Sequence, residues 1–264
     1  MTRYLRLFGL QFRTSTLLAA QYRLDFFLDA AIGLFWTAAA VMPLFVVYGD
    51  ATRPGIPGWS FGETLVVVGC FITLQAVLDG AINPGLQSVI DHIRKGTLDF
   101  ILLKPADAQF LVSTSRFQLW RVSGFLHAAI VFTIAFRELG RVPAPSGVLI
   151  ALLLLGVATL LLYSLWILIV SAAFVVVKVD NLTYLFTSIF DAARWPSTVF
   201  RGVVKFVFTF VIPLAVMTTF PAEALLGRLE WQTLVASLVG SLLFASVARA
   251  VWLWCIRFYT SAGG

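Results

Sequence analysis

Apolar residues along this chain fall into runs too long for an ordinary soluble helix, parted by short polar or Pro/Gly-rich stretches. A helix needs about 20 apolar residues to cross the roughly 30 Å of hydrocarbon in a bilayer. The first run of that length covers residues 26–48 and holds a single charge, Asp29, near its start. A turn, residues 49–60, leads to a second run at 61–82. That run is expected to stop at Asn83-Pro84-Gly85, a helix-breaking triplet. A polar segment, 86–106, comes next. The third run, 117–136, is framed by Arg116, Arg121 and Arg137. After a proline-bearing turn at 138–146, a fourth run at 147–177 carries no charge at all. The last run, 233–256, is closed by Arg249 and Arg257.

The stretch 178–231 admits two readings. Hydropathy favours one span at 203–220, with 180–201 as a cytoplasmic amphipathic segment. Alternatively, 182–198 is a short fifth span and 199–226 dips into the outer leaflet as a re-entrant hairpin, with Pro196 before it and breaks at Pro213 and Pro221. Irregular backbone at that depth is tolerated where protein or water covers it. Both readings give six crossings and put the two termini on the same side. The expected fold class is therefore all-α, a polytopic bundle of six transmembrane spans forming one domain over residues 1–264. Residues 1–24 read as a helix with Arg3, Arg6, Arg13, Thr14 and Gln21 on one arc and Leu5, Phe8 and Phe12 opposite, the pattern of an interfacial helix at the headgroups.

Composition agrees. With 60% hydrophobic and 12% charged residues and a mean hydropathy of +0.93, the chain cannot cover itself as a soluble enzyme, a disordered segment or a disulfide-stapled domain would. The net charge of +6 follows topology and calls for no nucleic-acid partner. Arg3, Arg6, Arg13 and Arg23, the cluster from Arg94 to Arg121, and Arg249 with Arg257 mark one side, so both termini are expected in the cytoplasm. Arg194, Arg201 and Lys205 prefer that side too, which counts against the re-entrant reading. Cys70 and Cys255 sit in apolar runs as free thiols. The three early arginines leave no room for a cleavable signal peptide.

Few residues carry chemistry. With only His92 and His127 there is no HExxH, no three-His metal set and no triad, so no catalytic, cofactor or metal site is expected. There is no GxxxxGK[ST] either, so ATP-driven work requires a separate subunit. Ionisable residues within the runs are Asp29, Glu63, Asp79, His127, Asp191, Arg194 and Arg249. His127 is the deepest and reads as one interhelical hydrogen bond. Asp191 and Arg194, three apart, share a helix face. No ladder of acids, no convincing set of buried ionisable pairs and no internal repeat marks an ion-coupled carrier. The segment from Asp91 to Pro105 stands out, because Leu98, Phe100, Ile101, Leu102 and Leu103 need something to bury them. Gly96 should end one short helix and Pro105 the next. Such a helix lies flat on the membrane or docks into a partner.

The run Ile93-Arg94-Lys95-Gly96-Thr97-Leu98-Asp99 through Leu103-Lys104-Pro105 resembles the "IRxGxLD…LLxP" segment of bacterial type-2 permeases of ATP-binding-cassette (ABC) transporters. Ala193-Arg194-Trp195-Pro196, Phe208–Ala215 and Phe220-Pro221-Ala222 echo that family's "RYP…TFVIP.A…FPA", and Tyr22–Phe26 its "YRxDF". The resemblance implies a six-span inner-membrane permease paired with a second copy or a sister permease. Two ATPase subunits would bind the ATP and Mg and drive it. Residues 86–106 would be the coupling segment, with Leu98, Phe100 and Ile101 as anchors in the ATPase groove. Arg94, Lys95 and Asp99 would form its polar rim, and Gly96, Lys104 and Pro105 complete the motif. The Pro196, Pro213 and Pro221 pattern favours the re-entrant reading. Apolar walls without buried charge would suit an amphipathic or lipid-like cargo moving outward.

Overall fold

The structure, a computed structural model, describes residues 2–21, 23–49, 55–174 and 180–259, and these are helical almost throughout. Tyr22, Arg53 and residues 175–178, which entered the motif and topology readings, lie outside the described residues. Helix α1 covers Thr2–Gln21 and α2 Arg23–Tyr48. Helix α3, Phe61–Val77, passes through a π turn at Leu78–Ile82 into α4, Asn83–Arg94. Two short helices follow, α5 at Asp99–Leu102 and α6 at Ala108–Ser113. The long α7, Ser123–Glu138, and α8, Pro145–Ala172, precede three short helices: α9 at Asp180–Asp191, α10 at Gly202–Phe206 and α11 at Phe220–Leu225. Helix α12, Trp231–Cys255, completes the series. Among the described residues, five helical stretches are long and apolar enough to cross a bilayer: Phe26–Tyr48, Phe61–Arg94, Leu119–Glu138, Pro145–Ala172 and Trp231–Phe258.

The second stretch does not stop at Pro84. A proline lacks the N–H that would bond the carbonyl four residues back, and its ring crowds that carbonyl. Here the carbonyl is Gly80's, and it accepts instead from the backbone N–H of Gln118 at 2.8 Å. The wider π turn, in which Asn83 N–H bonds Leu78 O, makes room for the ring. The same device recurs before Pro213 and Pro221, each two residues beyond a five-residue π turn, at Val207–Val211 and Ala215–Thr219.

Helix α3 is the spine. Of its most apolar window 67% is buried, against 11% for α2, and its residues are apolar on all sides, as a fully enclosed helix requires. Its first turn is fixed by a capping box, Ser60 with Glu63. Glu63 also pairs with Arg228, which bonds Gly58 O at 3.1 Å and lies over the Trp59 ring. Glu63 thus ties loop ends together at a helix terminus. Small residues let α7 approach: Gly62 faces Leu139, Gly69 faces Phe132 and Ala76 faces Gly124, in antiparallel register along α3.

Helix α8 packs on α3 and on α12, whose buried Ser237, Ser241, Ala248, Trp252 and Cys255 form one stripe. The start of α8 touches the chain just before α12, where Gly147 meets Ala224 O. Phe174, just past the α8 end, meets Trp252 near the α12 end, at 5.4 Å between centroids. The two helices therefore run parallel, and the intervening segment returns the chain to the end where α8 began. That segment is not one helix. The 203–220 stretch is interrupted at Ile212 and Pro213, where the backbone turns extended (Ile212 φ −124°, ψ 85°). Its second arm, the π turn at Ala215–Thr219 and then α11, lies on α8 and α3, and Thr218 Oγ1 donates to Ala193 O at 2.6 Å.

Close backbone approach makes a test. A Cβ on Gly85 would stand 2.7 Å from Val112 O and 2.8 Å from Ser113 O, whereas one on Gly156 would meet nothing within 4 Å. Gly85→Ala should therefore destabilise the protein by about 1–3 kcal/mol through overpacking, and Gly156→Ala should be neutral or slightly stabilising. Thermal unfolding in detergent checks both.

Candidate functional site

Charged residues scattered over the sequence meet in one cavity of about 440 Å³ between α2, α3, α7 and the end of α9. Asp29 comes from the first turns of α2, Asp79 from the π turn, Arg121 from the turn before α7, His127 from α7 itself, and Asp191 and Arg194 from the end of α9. The π turn matters here, since it sits where Pro84 requires it and holds Asp79 at the cavity wall. Arg121 Nη1 pairs with Asp29 Oδ1 at 3.0 Å, and Ser123 donates to Asp29 Oδ2 at 3.1 Å. Arg194 pairs with Asp191 at 3.1 Å, as their spacing predicts, and lies over the Phe71 ring. Among the described residues Asp79 takes a long hydrogen bond from Gln75, at 3.4 Å, and feels the charge of Arg121.

Three expectations fail here. Ionisable pairs inside the bundle are present, and the walls are not purely apolar. His127, 5% exposed, makes no hydrogen bond to the described residues. It packs instead against Gly33, where a Cβ would stand 2.6 Å from its ring. Sequence reasoning had Asp29, Asp79 and Arg121 as single charges near run ends; their convergence arises from helix packing.

The segment after α4 turns at Gly96, where the sequence predicts a helix end, but the helix that ends there is the continuation of α3 and not a short separate one. Helix α4 ends at Arg94, and Gly96 takes φ +63°. Gly96 N–H bonds Ile93 O and Thr97 N–H bonds His92 O, a Schellman motif that needs a residue free to adopt a left-handed backbone. Arg94, Lys95, Lys104 and Pro105 are exposed and Asp99 is half-buried at the α5 start. Phe100 in α5 and Leu103 just after its end, three apart in sequence, are 71% and 81% exposed. Ile101 packs partly on the core. Leu98 departs from expectation. At 1% exposure it is locked inside this chain's own core and cannot serve as an anchor for a partner.

Comparison with protein families decides the class. A family model for ABC-2 family transporter proteins matches residues 34–263. The chain belongs to the ABC-2 transporter family. No curated protein and no solved structure matches it. It is thus a transmembrane transport component, and the family's permeases are not themselves catalytic but work with an ABC ATPase. The matched span includes the cavity charges except Asp29, and all of the segment after α4, while α1 lies before it.

In this ABC-2 permease α1 lies along the chain that joins α5 to α7. Tyr4 Oη accepts from Asp107 N–H, Gln11 Nε2 donates to Leu111 O, and Ser15 Oγ accepts from Phe117 N–H at 3.1 Å. A polar network missed at sequence level then links that joining chain to two long helices. Asp107 caps α6 and pairs with Arg249 of α12; Arg249 Nη1 donates to Gln109 Oε1 at 2.6 Å. Gln109 Nε2 in turn donates to Tyr163 Oη of α8 at 2.9 Å. Burial opposes ionisation of Asp107, but the Arg249 hydrogen bond and the Phe110 N–H outweigh it and hold the carboxyl below its usual range. The depressed pKa makes the sign plain: the pair stabilises the fold at neutral pH, and the benefit is lost as pH falls below about 4. Both side chains are partly exposed, so the gain is modest, about 1 kcal/mol or less. Asp107→Asn and Arg249→Gln should each lower the thermal midpoint in detergent. The double variant should fall little further than the worse single one, because the two residues act on one interaction.

Proposed function

We propose that this chain is the permease subunit of an ATP-driven exporter in the bacterial cytoplasmic membrane, acting with a second copy or a sister permease and two ABC ATPase subunits. ATP and Mg²⁺ belong to those ATPase subunits. The observation that carries this reading is an exposed apolar tip, Phe100 and Leu103, joined by the Gly96 turn to α4 and so to α3. A partner seated on that tip pushes on one continuous helix, which holds Asp79 at the cavity wall roughly 20 Å away. Arg94, Lys95 and Asp99 form the polar rim, with Lys104 and Pro105 closing the turn, and Phe100 with Leu103 replaces Leu98 as anchor. ATP binding draws the ATPase subunits together, the two tips follow, and the permease halves rock between inward and outward openings.

Six crossings with both termini in the cytoplasm accompany this reading. The parallel run of α8 and α12 supports a return crossing between them, made by 182–198. The break at Pro213 and the seat of α11 on α8 support a re-entrant hairpin over 199–226, with Pro196 at its entry and Pro221 in its second arm. The outward direction follows the resemblance to the family's exporters. The ion pairs in the cavity favour a second reading, an ion-coupled carrier, which requires transport to persist when the ATPase P-loop is disabled.

Phe100→Asp or Leu103→Asp should cut co-purification with the ATPase subunit at least tenfold while the permease still inserts, and Leu98→Asp should instead abolish the folded protein. Survival of the complex with both tip variants overturns the coupling role. For topology, Val203 is exposed and the native Cys70 and Cys255 are buried. A Val203→Cys variant should react with a membrane-impermeant maleimide from outside intact cells. Reaction from the cytoplasmic side alone sinks the re-entrant hairpin.

A further inference from the structure

The charges around the cavity do not balance. Three carboxylates face it, from Asp29, Asp79 and Asp191, against two guanidinium groups, from Arg121 and Arg194. Each arginine is committed, Arg121 to Asp29 at 3.0 Å and Arg194 to Asp191 at 3.1 Å. The Nε of Arg121 is buried without a hydrogen-bond partner among the described residues. Among the described residues Asp79 forms no ion pair: its hydrogen-bond partner is a neutral amide 3.4 Å away, and Arg121, whose charge reaches it, is already bonded to Asp29. A carboxylate inside a membrane bundle is costly unless a cation meets it. The remaining wall combines the neutral polar groups of Thr37, Gln75 and Ser123 and the His127 ring with an apolar and aromatic face, Ile32 and Trp36 from α2 and Phe71 and Ile72 from α3. Aromatic faces also attract organic cations. The volume, about 440 Å³, falls within the range of sites for small organic molecules.

We infer that this cavity binds an amphipathic organic monocation, with its positive group at Asp79 and its apolar body against Trp36, Phe71 and the two isoleucines. The inference rests on the permease reading, because it makes the occupant the cargo. It narrows that cargo to a class the apolar composition of the chain does not specify. A free metal ion fits poorly, for the wall offers it one uncommitted carboxylate and many apolar atoms. An anion meets the wrong sign, since both arginines are already engaged.

The test uses two probes of the same shape and opposite charge, tetraphenylphosphonium and tetraphenylborate. The purified full-length permease in lipid nanodiscs, without its ATPase, is titrated with each by equilibrium dialysis, and empty nanodiscs supply the partition blank. Tetraphenylphosphonium should bind saturably and tetraphenylborate should not. Asp79→Asn should weaken the cation at least tenfold, Asp79→Glu should largely restore it, and Trp36→Leu should weaken it severalfold. Trp36 lies on the peripheral α2, so that variant still reports if Asp79→Asn misfolds. Equal binding of the two probes, or cation binding unchanged in both Asp79→Asn and Trp36→Leu, overturns the inference. Because no ATPase is present, the result is separable from the permease reading. Cation binding with failed ATPase docking leaves the site and removes the exporter; docking without cation binding removes only the cargo class.

Discussion

A proline inside a helix strands the carbonyl four residues before it, and away from water a stranded carbonyl costs several kcal/mol. At Pro84 that carbonyl finds a donor in the Gln118 N–H on the approach to α7. The consequence is a helix that runs from the Glu63 cap to the Gly96 turn with one wide turn inside it. Without that donor α3 would end where its residue pattern says it should. The cavity would then lose Asp79, and the exposed tip at Phe100 would hang on a loop. Gln118 also positions Arg121, three residues on, against Asp29. One backbone hydrogen bond therefore sets the relative placement of the helices that carry the cavity charges.

The α2, α3, α7 and α8 spans and α12 were legible because each needs only length and hydropathy, which are properties of consecutive residues. The Gly96 turn was legible for a similar reason, since a Schellman ending is local. Pro84 was misread because the pattern records the missing N–H but not the donor that satisfies the orphaned carbonyl from another part of the chain. Leu98 and Phe100 look alike in the sequence. In a helix of a single turn no periodicity separates the inward from the outward residue, and only packing shows that Leu98 is enclosed. The cavity was invisible for the most general reason. Asp29, Asp79, Arg121 and Asp191 lie on four separate helical segments, the first three each apparently a lone charge near the end of an apolar run and Asp191 apparently paired only with Arg194. Asp29, alone within its run, was the strongest local hint.

Two polar centres emerge at different levels of the bundle. The cavity charges line the contact of α2 with α3 and α7, where small residues, Gly33 and Ala40 among them, keep the wall thin. The Asp107, Arg249, Gln109 and Tyr163 network instead clasps the chain beyond α5 to α8 and α12. Helix α1 lies over the same joining chain, so that chain is held from two directions. The chain around α5 is thus joined to α3 through a backbone and to α12 through side chains, two connections of different stiffness.

The broken segment from α9 to α11 has a consequence for how the protein is made. The long helices are apolar enough to partition into a bilayer one at a time as they are synthesised. The stretch from 180 to 225 is not, with Asp191, Arg194, Arg201, Lys205, Glu223 and three prolines along it. Its polar groups pair within the segment, Arg194 with Asp191 and Thr218 with Ala193 O, and it packs on surfaces formed by α3 and α8. Biogenesis must therefore hold this piece in waiting, sheltered by the insertion machinery or at the headgroups, until the rest of the bundle has assembled to receive it.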